Sequence, residues 1–198
     1  MHATGNTQSD DDRDVADSFR AALRRLAAGV TIVSVAVDRK YGVTATAVMP
    51  VSMDPPSIVV AINRAASIHP ALADAKRFCI NILSSEQEQE SRIFSDSSAR
   101  DKRFTSADWR MSEDGVPFLL RGQANIFCTP ATRLSFGTHS LFVGEVYRVN
   151  TDAARAELLY MNGEYLVATS LSPATRRVSG SRTPPLGHFD SNSPQSVT

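Results

Sequence analysis

The run VTATAVMPVSM, residues 43–53, sets Thr44, Thr46 and Ser52 among Ala45, Ala47 and Val51. Hydroxyls alternating with small side chains let a backbone edge approach a flat ligand while the hydroxyls bond its polar rim. An ordinary strand with one outward polar face shows the same alternation, so the pattern alone leaves both readings open. Asn63 and Ser67 stand at the end of an apolar run and the start of a helical one. Free N–H groups and the positive end of a helix dipole there suit a phosphate, and His69 and Arg103 can add donors or charge. Phe104 and Trp109 can stack on a ring, although anchoring their own segment to the core is the simpler role. The histidines, at 2, 69, 139 and 188, form no HxH or HxxxH pair, and Cys79 and Cys128 lie far apart within apolar runs. The expectation is two buried thiols and no metal.

These residues need a scaffold, and the hydrophobic pattern supplies one. From Asp14 to Ala28, Val15, Phe19, Ala22, Leu23 and Leu26 recur at helical spacing, and Gly29 can end that helix. Arg20, Arg24 and Arg25 fall mostly off its apolar face and read as solvated. After Gly29 the period becomes that of strands: VTIVSVAV, a polar turn at Asp38-Arg39-Lys40, then GVTATAVMPVSM returning as a hairpin. Pro55-Pro56 introduces the strand SIVVAIN. SIHPALADAKR reads as a short helix capped by Ser67, FCINIL as a strand and SSEQEQESRIF as a helix. Residues 95–113 keep no period and form a long excursion of the kind that is often functional. The remainder is β: a hairpin of FLLRGQANIFCTP and ATRLSF about Thr129-Pro130, the strand SLFVGEVYRVN, and two short strands about Asn162-Gly163. Residues 1–13 and 170–198 read as a disordered arm and a flexible or partner-docked tail around one domain, 14–169.

Many strands joined by short turns predict a mainly β (α+β) fold, an antiparallel barrel with short peripheral helices. No GxGxxG or GxxxxGK turn is present, which disfavours a doubly wound nucleotide fold. The chain has 198 residues, with Lys+Arg 21 and Asp+Glu 21. That balance gives no electrostatic case for nucleic acid or an anionic membrane surface. No apolar run reaches the roughly 18 to 20 residues that span a bilayer, and the polar start has no signal-peptide core. A cytoplasmic protein is expected.

The segments GVTIVSVAV, GVTATAVMPVSMDPPSIVVAINRAASIHPAL, RFCINILSSEQ, DKRF and GTHSLFVGEV, in that order and spacing, resemble the flavin reductase-like family of FMN-binding split barrels. These are reductase partners of two-component flavin monooxygenases. The resemblance covers roughly residues 19–167. It implies an antiparallel split β-barrel, usually a homodimer, that passes hydride from NADH or NADPH to FMN or FAD. A partner oxygenase then receives the reduced flavin. By the same resemblance, the segment holding Val43, Thr44, Ala45, Thr46, Ala47, Pro50, Val51 and Ser52 lines the flavin. Asn63, Ser67, Arg103 and Phe104 fall toward its phosphate or tail, with His69 beside them. His139 matches a histidine near the nicotinamide, with Thr138 before it, and Gly29 matches a glycine beside the same pocket. Two departures stand out. Met49-Pro50 occupies the place of the family's Thr-Ser, and Thr138 the place of an Asp that precedes the histidine. Both feed a second reading, a split barrel that holds flavin or another tetrapyrrole-sized ligand without turning over nicotinamide. A purely structural dimerisation barrel is the third.

Overall fold

β-branched and apolar residues crowd the runs 31–36, 56–63, 78–82 and 139–149, and each run forms a strand in a computed structural model. The structure describes residues 7–152 and 155–169; the expected tail and the start of the expected arm lie outside them. The strands are β1 (Ala28–Gly29), β2 (Thr31–Ala36), β3 (Lys40–Ala45), β4 (Val48–Met53), β5 (Pro56–Asn63), β6 (Phe78–Ile82), β7 (Trp109–Met111), β8 (Pro117–Leu119), β9 (Ala124–Phe136), β10 (His139–Thr151), β11 (Leu158–Met161) and β12 (Glu164–Val167). The helices are α1 (Thr7–Leu23), α2 (Ile68–Asp74) and α3 (Glu88–Ser95).

One antiparallel sheet runs in the order β3-β2-β6-β9-β10-β5-β4. Its two edges are successive pieces of one chain segment, because β3 passes into β4 through Thr46 and Ala47 alone. The sheet thereby closes on itself, and at the bend the Ala61 amide donates to the Ala47 carbonyl at 3.0 Å. Val33, Val35, Val60, Ile62, Phe78, Ile80 and Phe142 fill the interior, with Ile68 and Leu72 of α2 against them. A second cluster, Val30, Ile32, Leu83, Phe94, Trp109, Leu119 and Leu158, lies at the level of α3. Full burial of a side chain such as Phe94 contributes roughly 1.5–3 kcal/mol.

The expected barrel with peripheral helices is what the chain forms, but four local expectations fail. The first helix begins at Thr7, inside the expected arm, and ends at Leu23 rather than reaching Ala28. There the bonds tighten to Arg25 N–H to Ala22 O and Leu26 N–H to Leu23 O, while the Asn162 amide takes the Arg24 carbonyl. That tertiary bond outweighs helical propensity, and Gly29 sits in β1 instead of closing the helix. The returning strand is broken at Thr46-Ala47 into β3 and β4. Ser67 makes no side-chain capping bond. Thr129-Pro130 is no turn: β9 runs straight through it, and Pro130 faces Gly144 beside a register shift, where the ladder does not need the missing N–H. The turn falls instead at Gly137-Thr138, with Gly137 at φ +54. The turn at Asn162 (φ 53) and Gly163 (φ 88) is as the sequence predicts.

Candidate functional site

The bend between β3 and β4 exposes Thr46 and Ala47, while Ala45 is buried and Val43 and Thr44 are half-buried. Neighbouring elements decide which hydroxyls remain free. Thr44 donates to the Ser91 carbonyl of α3 at 2.7 Å, and Thr31 donates to the Ala45 carbonyl at 2.7 Å. Thr46 has no partner among the described residues. It lines two open clefts. One, of about 490 Å³, also meets Thr44, Ser91, Arg92 and Tyr165; the other, of about 430 Å³, meets Ala47, Leu23, Leu26 and Ala28. Tyr160 and Gly163 belong to both. Gly29, next to Ala28, faces open space.

Further along β4, Pro50 and Val51 are exposed at a bulge of an edge strand, a position that tolerates proline. The Ser52 hydroxyl is committed to its own turn: it donates to the Asp54 carbonyl at 2.9 Å and accepts the Asp54 amide at 3.0 Å.

A polar corner forms where β5 ends beside β10. Asn63 and His139 are cross-strand partners, and His139 faces Phe136 on its other side. Asn63 accepts the Ala65 amide at its Oδ1 (2.9 Å), which leaves its NH2 group without a partner among the described residues. The Arg64 amide donates to the Thr138 carbonyl at 2.9 Å. The Thr138 hydroxyl lies 2.9 Å from His139 Nδ1, so a neutral group stands beside the imidazole. His69 belongs to the other side of the sheet. Its Nε2 is 2.9 Å from the buried Ser140 hydroxyl, which in turn is 3.0 Å from Ser135. Burial first, then Arg133 and Arg64, holds its pKa below the ordinary histidine value. Side chains alternate across a strand, so His69 and His139 do not share a face.

Ser67, Arg103 and Phe104 do converge, on a cleft of about 440 Å³ that Arg39, Lys40 and Arg100 complete. Arg103 is not a free cation. Its guanidinium donates to the carbonyls of Ile93 (3.3 Å), Gly42 (2.9 Å) and Asp96 (2.8 Å), and burial, followed by Arg100, lowers its pKa. Arg39, Lys40 and Arg100 make no ion pair among the described residues, and they are the charges available to an anion. Sequence reasoning passed over them, although the Asp38-Arg39-Lys40 turn and the run Arg100 to Arg103 carried the signal. Phe104 has φ 61, a left-handed conformation that an aromatic residue adopts only when its surroundings impose it. Here Phe94 and Trp109 hold its ring at centroid distances of 4.9 and 4.6 Å. Trp109 is thus the anchor of the excursion.

Comparison with known proteins agrees with this architecture. The profile described as "Flavin reductase like domain" matches residues 23–169. The reductase component of the FADH(2)-dependent resorcinol hydroxylase of Rhizobium sp. is 33% identical over 158 residues, covering 78% of this chain and 88% of that protein. The NADH:riboflavin 5'-phosphate oxidoreductase of Streptomyces pristinaespiralis is 33% identical over 161 residues, covering 79% and 90%. Among solved structures, the NADH:FAD oxidoreductase of Streptomyces globisporus, in complex with NAD and FAD fragments, superposes with a TM-score of 0.72 at 27% identity, covering 80% of this chain and 94% of that one.

Proposed function

The chain belongs to the flavin reductase-like domain family, and from that premise we propose that it transfers a hydride from NADH or NADPH to FMN or FAD and releases the reduced flavin to a partner oxygenase. The observation that carries this reading is the bend at Thr46 and Ala47, exposed with an open cleft on either side. Hydride transfer asks a protein to hold two planar molecules against each other in the right orientation.

The donors suit such ligands. Thr46 and the Asn63 amide can bond ring heteroatoms, and Arg39, Lys40 and Arg100 can neutralise a phosphate. When bound, the flavin supplies the acceptor atom N5 and the nicotinamide the hydride. In this assignment Val43 to Ala47, with Pro50 and Val51 beyond, form the shelf for the flavin, and Ser52 shapes the adjoining turn. Ser67 and Phe104 wall the phosphate cleft, and Arg103 braces it through its three carbonyl bonds. His139, its Nδ1 beside the Thr138 hydroxyl, keeps Nε2 for the nicotinamide, and Gly29 leaves open space at β1. His69 supports the corner from within.

The proposed assembly is a homodimer. Opposed residues of paired strands share a face, and the outer face of β4, β5, β10 and β9 presents Met49, Leu141, Leu134 and Phe136, with the half-buried Val143 and Ala61 among them. Met49 is 62%, Leu134 61% and Phe136 84% exposed. Val15, Phe19, Leu23 and Leu26, which recur at helical spacing, are exposed too. Contiguous apolar surface of this kind marks an interface. Among the described residues no helix is long and apolar enough to cross a membrane. Both thiols are free, which accords with a cytoplasmic location.

Anaerobic mixing of the protein with FMN or FAD and NADH or NADPH tests the activity. Loss of the oxidised flavin absorbance is expected. Tight flavin retention without bleaching would replace the reductase by a flavin-binding barrel, the reading that Pro50 and Thr138 favour.

A further inference from the structure

The tip of the β9-β10 hairpin, residues 131–139, is exposed throughout, and Ser140 is the first residue after it to be buried. Its side chain is wholly enclosed, across the ladder from Ile62 of the barrel interior. A hydroxyl in that position needs a partner, because a buried polar group left unpaired costs about 1–3 kcal/mol. His69 provides one, with its Nε2 2.9 Å from the Ser140 hydroxyl, and the Ser135 hydroxyl, 3.0 Å away on the other side, completes a chain of three.

His69 is itself fixed. It lies in the first turn of α2, where its amide donates to the Ala66 carbonyl at 2.9 Å, and Ile68 before it is fully buried. Its ring meets Phe142 edge-on at 5.3 Å. Burial first, and then Arg133 and Arg64, favour its neutral form, in which Nε2 can either accept from Ser140 or donate to it. An apolar side chain would fill the same space, but a hydrogen bond adds a direction.

That bond matters most for its neighbour. His139 stands between two tethered residues: Thr138, whose carbonyl accepts the Arg64 amide at 2.9 Å, and Ser140. Because His139 is exposed, its ring takes its placement from the backbone on either side and from the Thr138 hydroxyl at its Nδ1. An exposed hairpin tip opens at little cost unless something inside holds it. We propose that His69 is a positioning residue for the nicotinamide corner: through Ser140 it fixes the start of β10 and so sets the direction in which His139 presents Nε2. A binding group is only as precise as the residues that support it. This inference rests on the reductase reading, since it supplies the support for a group which that reading places beside the nicotinamide.

The test compares His69→Ala, which removes the bond, with His69→Gln, whose amide nitrogen can stand where Nε2 stands, each alone and combined with His139→Ala. His69→Ala is expected to raise KM for NADH about fivefold, the loss of one hydrogen bond, with kcat and KM for the flavin little changed. His69→Gln should recover most of that loss. In the His139→Ala background, His69→Ala should add nothing further, since the two changes act on one contact. An equal effect in both backgrounds, no recovery by His69→Gln, or a rise confined to KM for the flavin, which would put His69 to work through Ser67 in the basic cleft, would overturn the proposal. Histidine ring signals in NMR spectra of the ligand-free protein read the same link apart from turnover. The His139 signal is expected to shift and broaden in His69→Ala and to return in His69→Gln; if it does, the link stands even should no flavin be reduced. An unmoved His139 signal sinks it even if flavin is reduced. Should His69→Ala fail to fold, His69→Leu, which keeps the apolar contact with Phe142, takes its place in both measurements and is read in the same way.

Discussion

Asn81 lies wholly buried on β6, and its amide is saturated. The Nδ2 group donates to the Ile32 carbonyl at 2.8 Å and to Ser34 Oγ at 2.9 Å, while Oδ1 accepts the Leu119 amide at 2.8 Å and Asn125 Nδ2 at 2.9 Å. One residue thus binds the segment after the excursion to the barrel wall. Asn81→Ala would leave several buried groups unpaired at about 1–3 kcal/mol each, so urea unfolding should show a loss of at least about 2 kcal/mol. A near-neutral result would mean that water takes the amide's place. At the proposed nicotinamide corner, His139→Ala is expected to raise KM for the nicotinamide several-fold more than KM for the flavin; equal losses would remove His139 from that role. Residue types here were legible, but their commitments were not. Thr44 and Ser52 look like ligand donors in the sequence, yet Thr44 spends its hydroxyl on the Ser91 carbonyl, which only tertiary structure brings near, and Ser52 spends its own on the Asp54 carbonyl of its local turn. Arg103 reads as a charge for phosphate and acts as a brace.

At the scale of elements, β9 and β10 show why close packing needs glycine at one particular place. A Cβ built on Gly144 would lie 2.5 Å from Phe78 Cζ and 2.7 Å from Cys128 Cβ. Gly144→Ala should cost roughly 1–3 kcal/mol through overpacking, seen as a lower urea midpoint with an unchanged m-value. An unshifted midpoint would show that the Phe78 ring can move aside. Gly144 faces Pro130 next to a bulge, the feature that defeated the sequence reading of this region. Proline followed by small and polar residues signals a turn, but a bulge absorbs it and the strand continues. The Asn162-Gly163 turn was legible for the opposite reason, since a two-residue hairpin with both φ positive admits few other residues. The end of α1 was illegible because a bond from a distant hairpin sets it.

For the molecule as a whole, the barrel class followed from strands joined by short turns, whereas its closure did not, because a bend at Thr46-Ala47 leaves no mark in an alternating pattern. The outer apolar face is the property that matters at this scale. Leu134→Asp with Phe136→Asp should convert the proposed dimer into monomers in sedimentation velocity. If the partner copy walls the flavin site, KM for flavin should also rise about tenfold, a penalty of about 1.4 kcal/mol. A double variant that stays dimeric would place the interface elsewhere, and the exposed stripe of α1 would be the next surface to change.

The bend also sets an order in time. Both free edges of the sheet belong to the first third of the chain, and the strand that seats itself beside β5 is β10, from the last third. Loop-closure entropy makes such pairings slow, and a ribosome delivers β5 well before its partner β10. The shelf at Thr46 and Ala47 therefore comes into being only when the ring shuts. A ligand seated there can recognise the finished barrel but can offer nothing to the chain while it is still open.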